Sequence, residues 1–283
     1  MTDAFEHLDV TDVRPLSGGH QSTVVRARSA GRDVVLKLVR ASVSSRFEVV
    51  ERVRMLVELS GLTPLVCRPV ELDGQLVRDL HDADLGDAHL VAYENADGAV
   101  PDPGRPDDAE SMGRVLAELH QAMRRLPPFD LPAHRLARGG SSAGSRQLLH
   151  GDFGAANLRS TATGWRVFDL DDCGYGEAAH DVANTLYLIL FDAVVDRDRP
   201  EAVEAWPAFV TGYERAAGTV LDPVRLHSIV DRRVDLLATW LTDPTSAPTG
   251  VADAPPAWKD TLHRFVASYR AGAYGRFRLD RPR

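Results

Sequence analysis

Leu149-His150-Gly151-Asp152-Phe153-Gly154-Ala155-Ala156-Asn157-Leu158 is the most informative segment of this chain, together with Asp169 at the end of the next apolar segment. In-line phosphoryl transfer requires a carboxylate that orients the attacking hydroxyl and oxygen ligands that hold a metal ion against the phosphates. An aspartate and an asparagine in one tight loop, followed by a second aspartate on a strand end, meet that requirement. The pattern predicts Asp152 as the catalytic base and Asn157 and Asp169 as ligands of Mg2+.

Two further residues are predicted to support this stretch rather than to react. His150 is expected to steady the loop through a hydrogen bond, and Asp181 is expected to brace it from the following helix. The pair His180-Asp181 is also compatible with a metal-dependent phosphohydrolase, but no further His/Asp pairs at suitable spacing accompany it. The sequence therefore favours phosphoryl transfer.

Lys37 is the second anchor of the predicted site. Lysine is scarce in this chain, and Lys37 lies within the apolar strand predicted over 34–39. A buried ammonium group is costly unless it is paired, so Lys37 is expected to contact an acidic partner and phosphate oxygens. The helix predicted over 46–59 offers three acidic candidates: Glu48, Glu51 and Glu58. Glu51 is the favoured partner, although helical periodicity places it opposite the apolar stripe.

A loop of small residues and a strand end complete the predicted nucleotide site. In the turn Ser17-Gly18-Gly19-His20-Gln21-Ser22, small side chains let backbone N–H groups approach phosphate oxygens, and Gly19 and Ser22 are the predicted contacts. No Gly-Lys-Ser/Thr follows, which argues against a Walker A loop. At the end of the strand predicted over 88–93, the backbone groups of Glu94 and Asn95 are candidates to hydrogen-bond an adenine edge, and an ordinary linker is the alternative.

The segments around these motifs predict an α+β fold with two lobes. Short β-branched runs separated by turn signals indicate an antiparallel sheet, with strands over 8–16, 23–27, 34–39, 65–70, 75–79 and 88–93. From residue 107 onward, apolar residues recur at helical spacing. The proline-rich joint 97–106 predicts the boundary between a small antiparallel β N-lobe, 1–96, and a larger helical C-lobe, 97–283.

Charge, cysteine content and hydropathy argue against several classes of protein. The formal net charge is −8, which argues against a nucleic-acid-binding protein. Two cysteines are too few for a disulfide framework or a zinc site. The first residues lack the pattern of a signal peptide, and the longest apolar run, 186–191, is too short to span a bilayer. A cytoplasmic protein without nucleic-acid or membrane partners is therefore expected.

Three motifs resemble the aminoglycoside phosphotransferase family, which includes choline-kinase-like enzymes and is distantly similar to protein kinases. They are His150-Gly151-Asp152-Phe153-Gly154-Ala155-Ala156-Asn157, Phe168-Asp169-Leu170-Asp171-Asp172-Cys173-Gly174-Tyr175-Gly176 and His180-Asp181-Val182-Ala183. The resemblance implies a two-lobed, protein-kinase-like fold with ATP in the cleft, although GTP stays open as the donor. It implies the same roles for the catalytic base, the Mg2+ ligands and the phosphate-binding lysine. It also implies an adenine hinge over 93–96, with Tyr93, Glu94 and Ala96 as the contacts. The apolar loop 153–156 departs from the family, which usually carries polar residues or proline there.

The identity of the molecule that accepts the phosphoryl group is what the sequence indicates least clearly. A run of acidic residues lies near the end of the helix predicted after Asp181. It is compatible either with a solvated surface or with a site for a basic substrate. Its members are Asp192, Asp196, Asp198, Glu201 and Glu204. The favoured hypothesis is an ATP- and magnesium-dependent O-phosphotransferase that inactivates a small cationic antibiotic, either an aminoglycoside or a basic peptide. The alternatives are a metabolic or regulatory kinase of an amino alcohol, amino acid, sugar or protein hydroxyl, and a non-catalytic nucleotide-binding pseudokinase. The roles of Asp171 and Asp172 are left open.

Overall fold

The chain divides into two compact units. The computed structural model describes residues 5, 8–16, 22–82, 86–137, 146–195 and 201–272. The N-terminal unit comprises Met1–Asp97 and Leu126–Leu131, and the C-terminal unit comprises Gly98–Arg125 and Pro132–Arg283. No helix in the described part of the chain is long and apolar enough to cross a membrane.

The described strands of the N-terminal unit form an antiparallel sheet. The elements are β1 (Val10–Pro15), β2 (Ser22–Ser29), β3 (Arg32–Arg40), α1 (Arg46–Leu62), β4 (Pro69–Val70), β5 (Arg78–Asp82) and β6 (Gly86–Glu94). Neighbouring strands follow the order β1-β2-β3-β6-β4, and β5 pairs with β6. Ala30 and Gly31 join β2 to β3 with positive φ angles of 48° and 77°, which is the geometry of a type I′ hairpin turn.

The two faces of β3 carry different side chains, and this alternation places Lys37. Leu36 and Leu38 belong to a buried apolar cluster on one face of the sheet. Val39 points to the other face, where it packs with Val53 of α1. Lys37 shares that second face by alternation and is buried, with 8% of its surface exposed. The strand therefore directs this ammonium group into the layer that α1 occupies.

Helix α1 begins at a capping box that uses one of the candidate partners of Lys37. The Glu48 N–H donates to Ser45 Oγ (3.3 Å), and the Ser45 N–H donates to Glu48 Oε2 (2.8 Å). These bonds satisfy donors that the helix start leaves unpaired. Glu58 is exposed and Glu48 is partly exposed, so Glu51 is the buried member of the three candidates.

The C-terminal unit is predominantly helical and carries short antiparallel ribbons. Its elements are α2 (Pro106–Met123), β7 (Gln147–Leu149), β8 (Leu158–Thr161), β9 (Gly164–Val167), β10 (Gly174–Gly176), α3 (Ala178–Val195), α4 (Glu201–Glu204), α5 (Trp206–Ala217), α6 (Pro223–Thr242), α7 (Thr249–Ala252) and α8 (Pro256–Arg270). Strand β7 pairs with β10, and β8 pairs with β9. An antiparallel β unit and a larger helical unit confirm the predicted α+β class.

Helices α2 and α5 approach each other at a pair of glycines. A Cβ atom on Gly113 of α2 would lie 2.0 Å from the backbone oxygen of Phe209. A Cβ atom on Gly212 of α5 would lie 2.0 Å from the backbone oxygen of Glu110. Both distances are far below van der Waals contact, so the two backbones approach as closely as only glycine allows.

We expect Gly113→Ala to destabilise the C-terminal unit by about 1–3 kcal/mol, because the new methyl group must push α2 and α5 apart. Thermal and denaturant unfolding of the variant measure this loss. Gly61→Ala is the matched control, since Gly61 lies in α1 and a methyl group there would have nothing within 4 Å. The control should leave stability unchanged or raise it slightly, and equal effects of the two substitutions would refute the close approach.

Candidate active site

The loop that follows β7 carries Asp152 and depends on a glycine. Gly151 has a φ of 88°, and a Cβ atom there would lie 2.1 Å from the backbone oxygen of Asp172. Glycine suits both the left-handed backbone and this close approach. The His150 Nε2–H donates to the Phe168 carbonyl (3.1 Å), and His150 Nδ1 accepts from the Asp152 N–H (3.2 Å). The predicted steadying role of His150 is therefore confirmed.

Asp181 holds the same loop from the first turn of α3. Its buried carboxylate accepts from the His150 N–H (2.7 Å to Oδ2) and from the Gly151 N–H (2.8 Å to Oδ1). His120 Nε2 lies 2.9 Å from Asp181 Oδ2, and His120 Nδ1 lies 3.0 Å from the Tyr213 hydroxyl. Burial raises the pKa of Tyr213 to about 12, so this hydroxyl stays protonated and can donate to His120. The predicted bracing by Asp181 is confirmed, and it is anchored in α2 and α5.

Asp152 is half-buried, and two asparagine side chains orient it. Asn184 Nδ2 donates to Asp152 Oδ1 (3.3 Å). Asn157 Nδ2 donates to the backbone oxygen of Asp152 (2.9 Å) and lies 3.4 Å from its Oδ2. Burial raises the pKa of the Asp152 carboxyl, and the nearby Asp172 carboxylate adds to the rise. A carboxylate with a raised pKa is a stronger base, and its fixed orientation limits the directions from which it can accept a proton.

The backbone brings Asn157 and Asp169 to one end of the β8–β9 ribbon. Leu158 pairs with Val167, and the Phe168 N–H donates to the Asn157 carbonyl (3.2 Å). Asp169 is exposed and has a φ of 63°. Such a conformation is unfavourable for a residue other than glycine, and it concentrates at functional sites. Asp169 thus follows Phe168, the residue whose backbone is bonded to that of Asn157.

The chemistry of these side chains fits a hard divalent cation. Because the Asn157 amide nitrogen turns toward Asp152, its carbonyl oxygen points the other way. Amide and carboxylate oxygens, from Asn157 and Asp169, are ligands that Mg2+ prefers. Within the described ranges, no group of three or more His, Cys, Asp or Glu side chains is arranged to hold a metal ion. Mg2+ commonly takes only one or two carboxylates and completes its shell with water and phosphate oxygens, so a sparse protein ligand set is compatible with it.

Arginine and aromatic side chains form a cluster near Asp152. The Arg233 guanidinium of α6 lies 4.8 Å from the centre of the Tyr187 ring and 5.6 Å from that of Trp240. Burial raises the pKa of Asp152, and the charge of Arg233 opposes that rise. Arg135 lies 6.0 Å from the Trp240 ring and forms an ion pair with Asp172, whose role the sequence left open.

Glu51 of the N-terminal unit is buried on a side of α1 that periodicity alone assigns to solvent. Its exposed fraction is 6%. The Asp130 N–H donates to Glu51 Oε2 (3.2 Å), and Arg54 forms an ion pair with the same carboxylate. The segment Leu126–Leu131 covers this side of the helix, which explains the burial. Lys37 is buried as well, and its pairing with Glu51 stays a prediction.

The predicted adenine-binding residues lie at the end of β6. The Glu94 N–H donates to the Arg68 carbonyl (2.9 Å), so this amide is used within the sheet. An adenine edge at Glu94 would therefore have to contact the backbone carbonyl oxygen of this residue. Tyr93 ends the buried part of β6 and is half-buried, as is Ala96 beyond the strand. Their contact with a nucleotide stays a prediction.

The predicted phosphate loop is described only at its end. Ser22 is the first residue of β2 and is paired with Val39 of β3. Its side chain is half-buried. Gly19 lies outside the described residues, so its approach to a phosphate stays a prediction.

The acidic run is described in part. Asp196 and Asp198 lie outside the described residues. Asp192 and Glu204 are exposed, and Glu201 is half-buried. The described members therefore have the exposure of ordinary charged surface residues.

Several residues that support the loop were missed by the sequence analysis. Asn184 follows Asp181 at the i, i+3 spacing that places two side chains on one face of a helix, and this spacing is a usable signal. The His134 Nε2–H donates to the Gly151 carbonyl (3.2 Å). Neither His134 nor His120 stands in a local pattern that indicates its role, because both contacts are made across the fold.

Comparison with known proteins identifies the family. The model of the APH family, described as a phosphotransferase enzyme family, matches residues 12–139 and 130–227. No curated protein sequence gives a significant match.

Solved structures share the fold at low sequence identity. An amicoumacin kinase, hAmiN, in complex with AMP-PNP, Ca2+ and Ami has a TM-score of 0.70 at 18% identity, covering 92% of this chain and 88% of that one. A microcompartment-associated aminopropanol kinase has a TM-score of 0.68 at 22% identity, covering 97% of each chain. Spectinomycin phosphotransferase APH(9)-Ia, in complex with ADP and spectinomycin, has a TM-score of 0.63 at 12% identity, covering 96% of this chain and 95% of that one. The likenesses confirm the predicted kinase-like fold. The chain therefore belongs to the APH phosphotransferase enzyme family and is a phosphotransferase with an alcohol group as acceptor.

Proposed function

We propose that the chain phosphorylates a hydroxyl group of a small molecule with ATP and Mg2+, and that Asp152 is the catalytic base. The observation that carries the proposal is the constraint on this carboxylate: Asn157 and Asn184 orient it, while the amides before it are bonded to a buried aspartate. Such constraint suits phosphoryl transfer, because its loose transition state makes catalysis depend mainly on positioning and charge. GTP is the alternative donor. A donor of this kind also leads us to propose a cytoplasmic location.

We assign the nucleotide to residues 1–96 and the metal and acceptor to 97–283. Lys37, stabilised by a carboxylate, would bind phosphate oxygens. The other proposed nucleotide contacts are Glu51 through Lys37, Gly19, Ser22, Tyr93, Glu94 and Ala96. Asn157 and Asp169 would hold Mg2+, which when bound neutralises charge on the phosphates.

For the acceptor, we propose a cationic antibiotic of the aminoglycoside or basic-peptide type, with resistance as the outcome. Two of the similar structures are an amicoumacin kinase and a spectinomycin phosphotransferase, which supports an antibiotic acceptor. The net charge of −8 favours the approach of a cation. Exposed acidic residues at the end of α3 and in α4 add to that field.

A metabolic hydroxyl kinase is the second candidate, and the arginines near Asp152 favour it. Arg233 lies against Tyr187 and Trp240, and its charge acts on the Asp152 carboxylate. A guanidinium group close to the reacting hydroxyl favours an acceptor that also carries a carboxylate, as an amino acid does. An aminopropanol kinase among the similar structures supports a small metabolic acceptor.

ADP release by the purified protein across an acceptor panel tests the function. The panel holds aminoglycosides, macrolides, basic peptide antibiotics, amino alcohols, hydroxyl amino acids and sugars, and expression in a sensitive bacterium measures resistance in parallel. We expect turnover with one class, accompanied by resistance if that class is an antibiotic. ATP binding without ADP release for any panel member would favour the non-catalytic alternative.

We expect Asn157→Ala and Asp169→Ala each to weaken Mg2+-dependent nucleotide binding by about ten-fold or more, because each removes a proposed oxygen ligand. Calorimetric titration with a nonhydrolysable ATP analogue, with and without Mg2+, measures the effect. Asp192→Ala is the control, since Asp192 is an exposed aspartate of α3. Unchanged Mg2+ dependence in both variants would contradict the metal assignment.

A further inference from the structure

A small cavity in the C-terminal unit opens at the start of α3 and is rich in arginine. The residues that line it include Arg146, Gly176, Glu177, His180, Arg225 and Arg232. They come from the residue before β7, from the end of β10 and the start of α3, and from α6. None of them belongs to the site proposed for nucleotide, metal or acceptor.

The charges around this cavity do not balance. Arg225 Nη2 contacts both carboxylate oxygens of Glu177, at 3.0 and 3.1 Å. Within the described parts of the chain, Arg146 and Arg232 form no ion pair with a carboxylate. Three guanidinium groups therefore face one carboxylate, which leaves two positive charges in a protein whose net charge is negative.

His180 does not correct this imbalance. Its Nδ1–H donates to the Glu177 carbonyl (3.0 Å), and its Nε2 lies 3.4 Å from Arg232 Nη2, as an acceptor of that donor. Burial lowers the pKa of His180, which keeps the ring neutral at neutral pH. The histidine thus orients Arg232 without adding or removing charge.

Arg232 carries an unsatisfied donor. Its Nε is buried and has no hydrogen-bond partner among the described residues. Buried donors of charged groups are rarely left unpaired, because desolvation without a partner is costly. The Arg232 guanidinium therefore has unused hydrogen-bonding capacity, and this side chain lines the cavity.

The backbone at the start of α3 also favours an anion in this cavity. Gly176 and Glu177 directly precede α3, and His180 lies in its first turn. The N-terminal end of a helix of this length carries partial positive charge and favours an anion. The enclosed part of the cavity has room for a group of only a few heavy atoms.

We propose that this cavity binds a small tetrahedral oxyanion, either inorganic phosphate or the phosphate group of a phosphomonoester, through Arg146 and Arg232. Bound there, the anion would neutralise the excess guanidinium charge and accept hydrogen bonds from the guanidinium groups of Arg146 and Arg232. It would also tie α6 and β7 to the start of α3, the helix that carries Asp181 and Asn184.

Calorimetric titration of the full chain with sodium phosphate tests the proposal, with sodium chloride at equal ionic strength as the blank. We expect phosphate binding that persists when a nonhydrolysable ATP analogue is present. Arg232→Gln and Arg146→Gln should each weaken it about ten-fold or more, whereas Arg270→Gln, an exposed arginine of α8 paired with Asp235, should not. Arg146 is exposed, so its variant keeps the test valid if Arg232→Gln fails to fold.

Methyl phosphate in a parallel titration separates the two sources of the anion. Binding as tight as that of phosphate indicates a phosphomonoester, and binding of phosphate alone indicates the free ion; both support an oxyanion site. Absence of phosphate binding, its loss with the ATP analogue, or wild-type affinity in the two cavity variants would overturn the proposal.

Discussion

Asp152→Ala is expected to reduce phosphoryl transfer by about 1,000-fold or more while nucleotide binding persists, because the substitution removes the proposed base and leaves the proposed phosphate and metal ligands in place. The side chains that contact this carboxylate, Asn157 and Asn184, present amide N–H groups to it, and these cannot accept a proton in its place. ADP release with the acceptor identified by the panel measures transfer, and calorimetry with ATP analogue measures binding.

Asp152→Asn separates charge from shape, since the amide occupies nearly the same volume. It should lose as much activity as the alanine variant, because an amide cannot accept the hydroxyl proton. Asn184→Ala should have a smaller effect, since it frees the carboxylate without removing it. Asp260→Asn, an exposed aspartate of α8, is the control and should behave as wild type. Normal turnover in Asp152→Ala would refute the catalytic assignment.

The sequence predicts the part of the site that lies within one short segment, the loop after β7. His150, Asp152 and Asn157 contact one another within a single loop, so their spacing already contains most of the geometry. Strand alternation likewise predicts the face that carries Lys37. The α+β class follows from the change of hydrophobic period near residue 107.

Contacts across the fold could not be predicted in the same way. Glu51 has the periodicity of a solvent-facing residue, and it is buried because Asp130 and its neighbours pack over it from a distant part of the chain. The positions of Arg233 near Asp152 and of His120 on Asp181 depend on how helices pack. Helix packing is set by the whole core, so a local pattern carries no signal for it.

Replacement of Asp181 is expected to have the second large effect, on stability. The carboxylate accepts from two backbone amides and from His120 while fully buried. Asp181→Asn has a single side-chain oxygen, and its NH2 group would face a donor. We expect a loss of about 2–4 kcal/mol at pH 7, since buried donors are left without an acceptor. Denaturant unfolding measures it, and Asp235→Asn, an exposed ion-pair partner of Arg270, should change stability by less than about 1 kcal/mol.

The pH dependence of unfolding gives an independent test of the same carboxylate. Burial alone would raise the pKa of Asp181, but the hydrogen bond from His120 and the charges of nearby histidines outweigh burial and lower it to about 2. Because this value lies below the ordinary 3.8, the ionised group stabilises the fold above pH 4, and the stabilisation is lost as the pH falls toward 2. The difference corresponds to about 2 kcal/mol in wild type. The acid limb of stability should therefore be flatter in Asp181→Asn, and identical acid limbs would show that Asp181 does not titrate with the fold.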